Sequence, residues 1–283
     1  MSQISITFAR NDGRTFAIDG SVLGLVSATG LDKANVEVFT QKAAVGDGDI
    51  VTGQRVGSRT LEFTAKARNA ALNEVLRRAV TSYFTVTQTY AIYVTRYGEQ
   101  RYAANCRLDE ADAPMSTPGT PLTVKLSFLM PDGYFLSVDS FGKNIASIEG
   151  RAGYPYLSPA NLGRVYGVYS FASTVSLEND GDAQAYCKAV FTAQGTVVNP
   201  KLIAGGGYVR VLCALAKDDV LVIDGYAKSV MLNGTNVSTK LDRASNFSGI
   251  VFAVGANSIG FTADIGSNLL AVNVYYNKRY MGA

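Results

Sequence analysis

The chain has 283 residues, a formal net charge of +3, 47% hydrophobic and 17% charged residues, and neither histidine nor tryptophan. Length favours two domains of ordinary size over one, and the charge is too small to argue for sequence-specific nucleic-acid binding. The absence of histidine removes the commonest general base, the commonest zinc ligand and the Ser-His-Asp and Cys-His triads.

Cys106, Cys187 and Cys213 lie far apart with no C-x-x-C spacing, which argues against a structural zinc and for free thiols inside apolar strand-like runs. The first residues lack a basic and then apolar leader, so no secretory signal is read there. No apolar run approaches the roughly 20 residues that span a membrane. The expectation is a chain made and folded in a cytoplasm, without a cofactor.

From the start of the chain, Ile4, Ile6 and Phe8 alternate with Ser5 and Thr7, Asn11-Asp12-Gly13 turns, and Phe16–Ile18 resumes. Val36–Phe39 alternates again. A polar, glycine-rich segment follows from Gln41 to Ser58, and Arg59–Lys66 is the next strand. A connection of that length is expected to be a contact arm or a functional loop. Asp47 and Asp49 suggest calcium only superficially, because the further ligands and the closing glutamate of an EF-hand loop are missing.

The amphipathic pattern predicts one helix, Asn69 to Tyr83. Leu72, Val75, Leu76, Ala79 and Tyr83 form its apolar stripe and Asn69 its N-cap. Its polar face, with Glu74, Arg77 and Arg78, reads either as solvated surface or as a subunit contact.

Tyr83–Arg107 predicts two strands joined at Arg96-Tyr97-Gly98-Glu99. The acidic cluster Asp109, Glu110 and Asp112 reads as a solvated loop rather than an acid–base pair. Pro121–Met130 is another strand, Pro131-Asp132-Gly133 breaks it, and the first domain is expected to end near Val138.

Residues 139–170 read as a linker merging into a second domain, 139–283. Strand signals return from Val175. Gly205-Gly206-Gly207 is followed by a strand pattern and not a helix, so it reads as a hairpin turn instead of a phosphate loop. From Asp218 to Gly260, short apolar runs alternate with turns at Asp224-Gly225 and Asn233-Gly234, the last run being Ile250–Val254. Such spacing predicts a β-sandwich. Leu269–Tyr276 is the final long strand, ahead of the basic, aromatic Asn277–Tyr280.

The second half resembles the C-terminal domain of siphophage distal tail proteins. The matching residues are Glu178-Asn-Asp-Gly-Asp182, Asn199-Pro200, Asp218–Asp224, Asn233-Gly234, Gly255-x-Asn257 and Arg279-Tyr280-Met281-Gly282. The first half is similar to the ring-forming domain of that family, through the glycine-rich arm Gly46–Gly57, Arg59, the amphipathic helix and Phe128–Phe135. The resemblance implies a mainly β protein of two β-sandwich-like domains. The first would carry one helix and a long hairpin arm; the second would be galectin-like or carbohydrate-module-like.

It also implies a non-enzymatic hexameric ring at the virion tail tip. Its partners would be the tail tube protein, the tail-associated hub protein and receptor-binding proteins. Closed rings need two different complementary surfaces on each subunit. Lys42, Asp47, Asp49, Arg55 and Arg59 of the arm region, with Glu74, Arg77 and Arg78 of the helix, are the candidate inter-subunit contacts. Two other readings are open: a glycan-binding module using Tyr154, Tyr156, Tyr166 and Tyr169, and a tail-tube or contractile-baseplate subunit.

Overall fold

The computed structural model describes residues 4–32, 34–42, 47–115, 119–150, 167–171 and 174–283, with backbone only for 142–150 and 167–171. The chain is mainly β and divides into two compact units, residues 1–138 together with 279–283, and residues 139–278.

The first unit is built on a nine-stranded sheet. Its main path runs Thr15–Ile18, Ser5–Arg10, Thr89–Arg96, Glu99–Asp112, Thr123–Met130, Arg59–Ala67 and Leu23–Thr29, each antiparallel to the next. The alternation read from the sequence is the alternation of burial. Leu61, Phe63, Ala65 and Ala67 on one strand, and Val124, Leu126, Phe128 and Met130 on its neighbour, are buried, while residues between them face outward. Phe8 anchors this core, stacked on Phe128 and edge-on to Phe63 and Phe84.

A short 3-10 turn, Ala70–Leu72, leads into the helix Asn73–Tyr83, and the Asn69 side chain accepts from Ala71 N as its cap. The buried stripe is Leu76, Val80 and Tyr83. It is displaced from the expected one: Val75 is 66% exposed and Leu72 38%. The acidic cluster also differs from expectation, because the strand continues through Asp112 with a bulge between Leu108 and Glu110.

The second unit packs a seven-stranded sheet and a four-stranded sheet around a separate core. Leu270–Tyr276, Lys188–Ala193 and Val220–Asp224 pair centrally in the first. Thr174–Asn179, Gly255–Thr262, Lys201–Ala204 and Gly207–Arg210 make the second.

The Gly205-Gly206 turn closes a hairpin, with both residues at positive φ, and Asn233-Gly234 does the same between Ser229–Leu232 and Thr235–Asn236. Two expectations are corrected. Phe141–Gly150 and Gly167–Phe171 are paired strands inside the segment read as linker. Gly255–Thr262 is the long strand, whereas only Val251–Phe252 of the expected run is one.

Candidate assembly interface

Val36–Lys42 and Asp49–Val56 pair with each other and with no third strand among the described residues. This two-stranded ribbon is the arm. An isolated hairpin is marginally stable in water, yet this one displays Val38 (52% exposed), Phe39 (46%), Ile50 (60%) and Val51 (62%). Apolar side chains on such a ribbon form an exposed patch of the kind found at contact surfaces.

Lys42 lies opposite Asp49 at the far end of the pairing, with Asp47 beyond them, and all three are exposed. Arg55 Nε donates to Glu37 Oε2 at 2.7 Å across the ribbon and its guanidinium sits over the Phe39 ring.

A second exposed group sits on the helix. Glu74 accepts from Arg77 Nε at 3.0 Å and from Arg78 Nε at 2.9 Å. Those bonds hold its carboxyl down at about 2 and raise the Arg77 guanidinium above its ordinary value. With Val75 and Leu72 exposed beside this triad, the outer helix face offers apolar area framed by charge. No ion pair joins the helix triad to the arm among the described residues.

Arg59 departs from its expected role. It is 4% exposed and therefore does not face a neighbouring subunit. Its Nε donates to Gly133 O at 2.9 Å, its Nη1 to Gly30 O at 3.2 Å and its Nη2 to Met281 O at 2.8 Å, while the guanidinium lies over the Phe135 ring. Burial lowers its pKa. Gly30 and Gly133 both hold positive φ, which turns their carbonyls toward Arg59 at little conformational cost.

Around Arg59 are residues that sequence reasoning did not select. Arg279–Tyr280 pairs with Phe135–Ser137 in the first unit's sheet. Arg279 Nη2 donates to Asp132 Oδ1 at 2.6 Å and its guanidinium lies over Tyr134. Arg101 Nη1 donates to Gly282 O at 2.9 Å, and its guanidinium stacks on Tyr280 at 3.9 Å. The sequence marks this segment by its basic, aromatic composition and by the Arg279-Tyr280-Met281-Gly282 match of the resemblance, and neither assigns the contacts.

In the second unit, Lys201 Nζ caps the Tyr208 ring at 3.8 Å, and Asp264 accepts from Asn199 at 2.8 Å and from Arg210. These side chains satisfy one another. Tyr154, Tyr156 and Tyr166 lie outside the described residues, as does the side chain of Tyr169. No group of three or more His, Cys, Asp or Glu residues is placed to hold a metal among the described residues.

Residues 180–280 match the family model of the siphovirus-type tail component, C-terminal domain. No curated protein matches in sequence. Among solved structures, the Dit protein of phage SPP1 is similar over 97% of this chain and 98% of that one, with a TM-score of 0.65 and 13% identity. That protein is described as a paradigm of the hub adsorption apparatus in phages infecting Gram-positive bacteria. A chain of the phage P2 baseplate, in its activated conformation with Ca, matches over 100% of both chains with a TM-score of 0.56 and 9% identity. Residues 180–280 thus match the siphovirus-type tail component, C-terminal domain, and the chain as a whole shares the fold of the Dit protein of phage SPP1.

Proposed function

We propose that this chain is a structural, non-enzymatic subunit of a phage tail tip. It forms a closed hexameric ring that joins the tail tube to the hub and the host-adhesion apparatus. The observation that carries the reading is the arm: a ribbon with exposed apolar residues on both faces and no third strand to pair with among the described residues. A second copy supplies the missing cover, and repeating that heterologous contact through a closing rotation makes a ring. The outer helix face, with Val75 beside the Glu74 triad, is the candidate for the contact on the other flank.

The outward face of the first unit's sheet supports a passage for DNA. Glu62, Asp109 and Glu110 line an open hollow there together with Lys125, and a mainly acidic wall does not retain a polyanion. Synthesis in the host cytoplasm agrees with three free, buried thiols.

Native mass measurement followed by negative-stain imaging tests the reading. Six-fold particles with a central hole are expected, and a strictly monomeric protein at micromolar concentration overturns it.

A further inference from the structure

Both legs of the arm are gripped by one short segment from far along the chain. Ahead of the arm, the Leu31 carbonyl accepts from Ala283 N at 3.1 Å. Behind it, Arg59 donates to Met281 O at 2.8 Å while also holding Gly30 O and Gly133 O. Gly133 is pressed so closely on the arm's base that a Cβ there would lie 2.4 Å from Gly57 O and 2.8 Å from Val56 Cγ1. The legs are tied to each other by Gly57 N donating to Asn35 O at 2.8 Å and Asn35 Nδ2 to Ser58 O at 2.9 Å.

The gripping segment, residues 279–283, is anchored independently of the arm. Strand pairing, the Arg279–Asp132 ion pair and the Arg101 contacts to Gly282 O and Tyr280 all hold it in the first unit. Remove it, and the Leu31 carbonyl loses its donor while buried Arg59 loses one of its acceptors. An unmatched buried polar group is costly, and more so when charged, so the legs would relax to recover solvent.

Residues 279–283 follow residues 139–278 in the chain, so during synthesis they emerge only after the whole second unit. The first unit is therefore laid down early but closed last.

We propose that residues 279–283 act as a licensing strap: once docked, they fix the arm's legs in the geometry that engages the next subunit, so that only chains completed through the second unit enter the ring. This rests on the reading of the arm as an inter-subunit contact, and it adds to that reading a condition internal to each subunit. Incomplete chains, which would present an arm without the second unit, are kept out of the assembly.

The test is hydrogen exchange on the full chain, a variant lacking residues 279–283, and Arg101→Gln, with native mass measurement on the same samples. Arg101→Gln removes the Gly282 and Tyr280 contacts without touching the arm, and it decides the matter if the shortened chain does not fold. Amides in residues 30–32 and 56–59 are expected to exchange at least tenfold faster in the shortened chain and to an intermediate degree in Arg101→Gln. Those of Val220–Asp224 in the second unit should not change, and the assembled fraction should fall in the same order. Unchanged leg exchange in a folded variant overturns the strap. Faster leg exchange with undiminished assembly overturns its licensing role. A wild-type chain that is monomeric removes the ring, and the exchange data then still judge whether the strap fixes the arm.

Discussion

Asp132 and Arg279 are 147 positions apart in sequence and form a largely buried ion pair, Arg279 Nη2 to Asp132 Oδ1 at 2.6 Å. Their side chains are 17% and 7% exposed. Removing one partner of such a pair leaves the other charge poorly solvated and typically costs about 3–5 kcal/mol. Asp132→Ala is expected to destabilise the first unit by about 3 kcal/mol in chemical denaturation. Asp132→Ala combined with Arg279→Met is expected to recover part of that loss. A single variant as stable as the parent would show that the pair carries no weight.

Two glycines provide a matched contrast. Gly30 and Gly13 both adopt positive φ, +80° and +85°, but a Cβ on Gly30 would lie 2.2 Å from Thr60 O whereas Gly13 has nothing within 4 Å. Gly13→Ala is expected to cost about 1 kcal/mol from the left-handed backbone alone. Gly30→Ala adds a backbone collision and should cost at least about 2 kcal/mol more. Denaturation midpoints of the two variants, measured side by side, check this.

The proposed arm contact predicts that assembly and folding separate. Phe39→Ser with Ile50→Ser changes exposed side chains on a two-stranded ribbon, so the unfolding midpoint should hold to within about 0.5 kcal/mol for each site. The same variant is expected to run as a monomer in native mass measurement. Intact rings from it would remove the arm from the interface.

What the sequence made legible follows from what each signal measures. Alternation in Arg59–Lys66 and the positive-φ turns at Gly205-Gly206 and Asn233-Gly234 are local properties, and the structure has them where the pattern put them. The helix was legible as an element, and Leu76 and Tyr83 of its expected stripe are buried, but Val80 is buried where Leu72 and Val75 were expected. Val75 and Val80 suit an apolar stripe equally well, and it is the docking against Phe8, Phe16 and Phe84 through Tyr83 that turns Val80 inward. The expected run Ile250–Val254 stops where the long strand begins, at Gly255, and it is that strand which buries Ile259 and Phe261.

Arg59 was selected for its charge, while its role comes from carbonyls at Gly30, Gly133 and Met281. Partners that distant leave no periodicity. The same holds for Arg279–Tyr280, a strand too short to show alternation.

The thiols set an alkaline limit. Burial pushes Cys106 and Cys187 from 9.0 up to about 12, since desolvation disfavours the thiolate. A raised folded value means the contribution to stability is full below pH 9 and is lost as pH climbs toward 12, where only the unfolded chain has ionised freely. Stability measured against pH should therefore begin to fall near pH 9. At pH 8 neither thiol should react with iodoacetamide until denaturant is added.

Glu74 behaves in the opposite sense. Its folded value of about 2, against 4.5 ordinarily, comes from the Arg77 and Arg78 bonds. Any stabilisation is present above pH 4.5 and disappears as pH falls through 2. The group is fully exposed, so solvent screening keeps the energetic effect small. Carboxyl NMR titration should place its midpoint near 2 in the parent and higher in Arg77→Ala.

The chain leaves the first unit after Phe135–Ser137 and rejoins it at Arg279–Tyr280, and these two strands are hydrogen-bonded neighbours. The stems of everything between them therefore stand about 5 Å apart, the ordinary spacing of paired strands. A graft needs only two ends at that separation. Residues 139–278 are thus exchangeable for another domain, or for a tight turn, with the host sheet left whole. Diversification of such a chain is free to proceed by cassette at one socket, with the first unit's sheet unchanged.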